Sequence, residues 1–106
     1  MPRYLIQGSY TSEGAKGLLS EGGTSRRDSI EALMESVGGK LEAFYFAFGE
    51  DDAVLIVEAP SNGDVAAVAL SAAATDSVGI KTTVLLTPEE IDEAAKKSVK
   101  YTPPGG

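Results

Sequence analysis

The stretch from Gly39 to Pro60, GKLEAFYFAFGEDDAVLIVEAP, constrains the fold more than any other part of the chain. It reads as two strands folded back on each other. Lys40 to Phe48 is rich in aromatics, Ala53 to Val57 is an unbroken apolar run, and Gly49-Glu50-Asp51-Asp52 between them carries residues that favour turns. The second strand shows no alternation, with Val54 and Ile56 on one side and Leu55 and Val57 on the other. A strand apolar on both sides is ordinarily covered on both sides. Whatever packs on one face of this sheet, something must also cover the other.

The size of the chain limits what that cover can be. At 106 residues it is one domain with one modest core. Residues 1–100 are expected to form this domain and residues 101–106 a flexible tail. No run approaches the length of a membrane helix, and the opening Met1-Pro2-Arg3-Tyr4 has no signal-peptide pattern, so a cytoplasmic protein is the default expectation. Nine basic against sixteen acidic residues leave a net charge of −7, which opposes binding to nucleic acid or anionic membranes. The chain has no cysteine, histidine or tryptophan. Disulfides, thiolate chemistry and the usual general base near neutral pH are thereby excluded, and no metal site or cofactor is expected. Any catalysis would rest on Tyr, Asp, Glu or Lys.

Taken in order, Arg3–Tyr10 is a first strand, with Tyr4, Ile6, Gly8 and Tyr10 on one face and Leu5, Gln7 and Ser9 on the other. A short helical piece follows Thr11 as far as Leu19, weakened by Gly14 and Gly17 and interrupted by Gly22-Gly23. A longer helix is expected from about Ser25, where Ser25 and Asp28 have capping-box spacing. Its stripe is Ile30, Leu33, Met34 and Val37, and Gly38-Gly39 closes it as a left-handed cap would. After Pro60, Ser61–Asp64 caps an Ala-rich helix ending near Asp76. Ile80–Leu86 is a fourth strand, and Thr87-Pro88-Glu89-Glu90 starts a last helix running to about Val99.

The order is α+β: a ferredoxin-like βαββαβ unit with a four-stranded antiparallel sheet, helices on one face and an extra C-terminal helix. The other face is left bare, roughly 400 Å² in projection, which is large for an exposed apolar patch. A second copy packed sheet against sheet in a two-fold dimer is the economical cover. The C-terminal helix folded over that face is the monomeric alternative.

Phe48-Gly49-x-x-Asp52 followed by Ala53–Pro60 resembles the hallmark of the GYD-domain proteins. The resemblance extends to Tyr10-Thr11, Gly14, Lys16, Gly17 and Gly38-Gly39-Lys40-Leu41, and covers about residues 3 to 93. It implies a ferredoxin-like fold of the dimeric α/β-barrel type and brings no established activity. The family hairpin usually reads Gly-x-Tyr-Asp, whereas Asp51 stands at the tyrosine position here.

Several groups are candidates for a site. Gln7, Tyr10, Tyr45, Glu58 and Thr83 are polar-tipped strand residues suited to a small-molecule pocket, or to satisfying hydrogen bonds at an interface edge. Glu50, Asp51 and Asp52 form an acidic turn that lacks the ligand spacing of a calcium loop, so a polar turn with Asp52 bonded to the local backbone is the expectation. Glu58 ends an apolar strand and has Lys16, Lys40 or Lys81 as prospective partners. Gly22–Arg27 could hold an anion at a helix start but is not a P-loop, and a surface loop is the plainer reading. The closing Gly105-Gly106 resembles the end of ubiquitin-like modifiers, but the strand order is wrong for that fold.

The functional expectation is therefore a homodimer that binds a small, partly apolar molecule between sheet and helices. A cofactor-independent monooxygenase- or isomerase-like enzyme is the first alternative, distinguished by a buried Tyr–Glu or Tyr–Asp pair facing one cavity. A structural or interaction module with a filled interface and no cavity is the second.

Overall fold

The computed structural model describes residues 1–106. Four strands, β1 (Arg3–Tyr10), β2 (Lys40–Phe46), β3 (Ala53–Glu58) and β4 (Val78–Leu85), form one sheet in the order β2-β3-β1-β4 with all neighbours antiparallel. Helices α1 (Ser12–Glu21) and α2 (Gly23–Ser36) make the first crossover, α3 (Asn62–Ala73) makes the second, and α4 (Pro88–Ala95) follows β4. This is the ferredoxin-like arrangement with an added helix.

Strand register settles which side chains share a face. Tyr4, Ile6, Leu55 and Val57 lie in one core with Met34 of α2, Val65 and Val68 of α3, and Ala59. Ile30, Leu33, Val37, Leu41, Phe44 and Ile80 pack around it. The stripe read from the sequence thus lies against the sheet. Tyr4 is fully buried and its Oη donates to Asn62 Oδ1 at 2.6 Å, tying the central strand to the first turn of α3. On the opposite face, Leu5 pairs with Ile56 and Thr83, and Gln7 with Val54 and Lys81. Val54 and Ile56 are only half-buried there, because no element of the chain covers them.

The helix ends show what local chemistry decides. Gly38 has φ 76°, and Gly38 N–H and Gly39 N–H donate to Glu35 and Met34 carbonyls, the Schellman closure expected of this diglycine. The start of α2 differs from expectation. Gly22 (φ 86°) caps it without a side-chain bond, and the helix begins at Gly23, so Ser25 and Asp28 lie inside it and form no capping box. Gly22 also ends α1, whose last carbonyl bond is Gly22 N–H to Leu18. One left-handed residue therefore turns the chain from the first helix into the second.

Other boundaries move by a few residues. β2 stops at Phe46, leaving Phe48 fully exposed in the turn, and β4 runs from Val78 to Leu85. Helix α3 stops at Ala73, after which Asp76 takes φ 59°. Helix α4 has the expected box, with Thr87 accepting from Glu90 N–H while the Glu90 carboxylate accepts from Thr87 N–H. It ends at Ala95, four residues before Val99, and Lys96 is its cap. All of its residues are exposed, so it does not fold over the bare sheet face as the monomeric alternative required. The chain measures 56 × 33 × 23 Å with a radius of gyration of 16.9 Å, against about 13 Å for a compact domain of this length.

Candidate functional site

A crevice of about 400 Å³ lies between the helix layer and the sheet. Small residues line part of it: Gly8 on β1, Gly14 and Gly17 on α1, Ala69 and Ala72 on α3. Larger apolar side chains, including Leu33, Phe44 and Val68, form its walls, and fourteen of the twenty-three lining residues are hydrophobic, so an occupant must be largely apolar. Helix α1 roofs the crevice without burying any residue of its own. It is anchored at its start, where Thr11 N–H donates to the Ser77 carbonyl and Thr11 Oγ1 to the Asp76 carbonyl, at 2.9 and 2.7 Å.

The polar members of the lining include Tyr10 at the end of β1, Glu13 and Glu21 on α1, and Arg26 on α2. Arg26 Nη1 is 3.5 Å from Glu21 Oε1. Its Nε is buried and has no hydrogen-bond partner, a costly state for a charged donor. Tyr10 donates its backbone N–H to Asp52 Oδ2 at 2.9 Å, while its hydroxyl makes no hydrogen bond within the chain. Burial raises the Tyr10 phenol above its ordinary value; Glu21 and Asp52 push the same way, and Arg26 partly opposes them. The phenol therefore stays protonated near neutral pH.

The open sheet face carries two polar nodes of a different kind. At one end, Asp51 is the one buried acidic side chain, 9% exposed. It accepts from Gln7 Nε2 (3.2 Å) and Ser9 Oγ (3.1 Å) and pairs with Lys81 Nζ at 3.0 Å. The Lys81 hydrogen bond holds the Asp51 carboxyl below its usual range, with help from Ser9 and against desolvation. At the other end, Arg3 sits between Glu42 (2.9 Å) and Glu58 (3.4 Å). A register shift between Leu41 and Ala43 inserts Glu42 there.

The five strand residues singled out from the sequence divide between these regions. Tyr10 lines the crevice, whereas Gln7 and Thr83 register with open-face neighbours, and Glu58 joins the Arg3 node there. Tyr45 registers with Val54 on the same face and is 72% exposed. Glu58 pairs with Arg3, not with Lys16, Lys40 or Lys81 as expected, because β1 and β3 register Arg3 opposite Glu58. Asp52 bonds the backbone of β1 at Tyr10 instead of its own turn, and Gly49 stands free in that turn with open space around it. No three acidic side chains converge as a metal site requires. In the Gly22–Arg27 stretch, Arg26 and Arg27 are engaged with Glu21 and Asp28. Arg26 and Glu21 were not legible as crevice residues, since their facing depends on the turn at Gly22; an arginine one helical turn into α2 was the available signal.

Three comparisons place the chain among known proteins. The family model described as GYD domain matches residues 4–95. No curated protein matches the chain. Among solved structures, the crystal structure of MtbAldR (Rv2779c) aligns with a TM-score of 0.51 at 20% identity, covering 81% of this chain and 52% of that one. The likeness is one of fold, and the chain spans about half the length of that relative.

Proposed function

The chain belongs to the GYD-domain family, and from that premise we propose that it binds a small, largely apolar molecule in the crevice beneath α1. The observation that carries this reading is an apolar crevice of about 400 Å³ whose lining includes a few polar side chains, Tyr10, Glu13, Glu21 and Arg26 among them. The volume lies in the range of small-ligand sites, and a few convergent polar groups in an apolar lining are how such sites orient a ligand.

Tyr10 lines the crevice with Glu13 and Glu21, although none of the three is buried as the pair set out for an enzyme requires. The raised Tyr10 phenol is also a poor base near neutral pH and suits binding better than proton abstraction. The proposed assembly is a homodimer through the open sheet face, where Leu5, Val54, Ile56 and Leu85 have no cover within the chain.

A native mass spectrum of untagged protein, purified gently, tests both parts. The expected result is a dimer carrying extra mass. Arg26→Met and Tyr10→Phe should each weaken retention of that mass roughly two- to tenfold, the worth of one hydrogen bond. A bare chain whose melting temperature is unmoved by a panel of aromatic and aliphatic compounds would remove the ligand reading. A monomer at micromolar concentration would remove the dimer.

A further inference from the structure

The sheet ends on two outer strands, β2 and β4, and the chain treats them differently. β2 is broken by the register shift between Leu41 and Ala43. β4 pairs with β1 in unbroken register from Val78 to Leu85 and contains no proline. Thr11 N–H donates to the Ser77 carbonyl, and the alternation of an antiparallel ladder carries that phase along the strand. Gly79, Lys81, Thr83 and Leu85 therefore bond toward β1, while Val78, Ile80, Thr82 and Val84 turn their amides and carbonyls outward. No turn, loop or cap bond reaches those four residues. A straight, open row of this kind is a template for strand addition, which sheets ordinarily block with a bulge, an edge charge or a proline. The one charge on β4, Lys81, is held by Asp51 at 3.0 Å.

The side chains of the outward-bonding residues say what fits. They register with Tyr4, Ile6, Gly8 and Tyr10 on the helix side of the sheet, and toward the end of the strand they lose their cover. Val84 is 53% exposed, and Leu86, just past the strand in the same series, is 58% exposed. A second β4, laid antiparallel about a two-fold axis through Thr82, sets Val84 opposite the partner's Ile80 and Leu86 opposite the partner's Val78. Apolar residues then meet apolar residues at both ends, and the outward groups from Ile80 to Val84 all find partners. Lys81 faces the partner's Thr83, whereas an axis through Lys81 would oppose two ammonium groups. No acidic residue lies between Ser77 and Thr87, so two chains of net charge −7 can approach here without opposing carboxylates. We propose that β4 pairs with β4 of a second copy about Thr82, joining two four-stranded sheets edge to edge. This edge is separate from the open sheet face and from the crevice. One strand pair buries less than the roughly 1,200 Å² of a standard interface, so the association belongs at about 0.1–1 mM and not at micromolar concentration.

Sedimentation equilibrium of the full chain from about 10 µM to about 1 mM tests the pairing. The average mass is expected to rise toward roughly twice its starting value across that range. Thr82→Pro removes an outward N–H that β1 does not use, so the fold should hold while the rise disappears. Val84→Glu, which sets a carboxylate against the partner's Ile80, should weaken the association roughly tenfold and keeps the test decisive if the proline variant does not fold. Ile56→Glu, aimed at the open face, should keep the rise from a lower starting mass. The chain has no cysteine, so single-cysteine variants report register directly. Under mild oxidation at high concentration, Thr82→Cys should cross-link to its copy at least roughly tenfold faster than Leu86→Cys, because the axis brings only residue 82 against itself. No rise in mass, a rise unchanged by both β4 variants, or a rise lost in Ile56→Glu would overturn the proposal. Equal cross-linking of the two cysteine variants would overturn the pairing about Thr82.

Discussion

Asp51 accepts from Gln7 and Ser9 and pairs with Lys81, so the tip of the β2–β3 turn is fastened across β1 to the edge strand β4. Its folded carboxyl titrates below the ordinary 3.8 and the Lys81 amine above 10.5. The Asp51 contribution to stability is therefore present above pH 3.8 and lost as pH falls through its lowered folded value. The Lys81 contribution is present below pH 10.5 and lost as pH rises through its raised value. Asp51→Asn should lower the urea midpoint at neutral pH, and the gap from the parent should close as both are acidified toward about pH 2. A gap that stayed constant through that range would show that the charge of Asp51 contributes nothing. The glycines make a second contrast at this scale. Gly39→Ala drives a Cβ into the Glu58 carbonyl and should cost about 1–3 kcal/mol by denaturant titration, whereas Gly17→Ala should not destabilise at all.

The two capping signals of similar spacing had opposite fates, and the difference explains how far the elements were legible. Thr87-Pro88-Glu89-Glu90 acts locally: its residues need only each other, so the sequence pattern and the folded box coincide. Ser25 and Asp28 were overruled by Gly22, whose left-handed conformation starts α2 early and leaves both inside the helix. The stripe Ile30, Leu33, Met34, Val37 was legible because periodicity alone sets a helix face. The crevice was not, because it depends on how far α1 stands from the sheet, and no pattern within one element encodes that. Of the site residues read from the sequence, Tyr10 reached the crevice because its parity with Tyr4 and Ile6 put it on the helix side. The left-handed cap at Gly38 (φ 76°) predicts that Gly38→Ala costs about 1–2 kcal/mol, measurable as a shifted urea midpoint. Helix α4, eight residues long with none buried, is too short to persist on capping alone. Its amides should exchange with deuterium far faster than those of α2 in dilute protein, and slow exchange there would mean that something covers it.

A chain with a radius of gyration of 16.9 Å and a fully exposed terminal helix has left contacts unmade. If a second copy covers the open face, a charge placed at its centre should separate the copies without touching the core. Ile56→Glu is expected to give a monomer by light scattering with an unchanged circular dichroism spectrum; a persistent dimer would place the interface elsewhere. The edges of the sheet raise the opposite problem. β2 is an outer strand carrying Tyr45 and Phe46 in the open, and an outer strand of that kind is a template on which passing chains can add without limit. The bulge between Leu41 and Ala43 breaks the even spacing of its outward amides and carbonyls and sets the charge of Glu42 beside it. An incoming strand finds no straight ladder to match. The same irregularity that completes the Arg3 node is therefore expected to oppose fibrillar growth, and deleting Glu42 should be felt first as precipitation on storage.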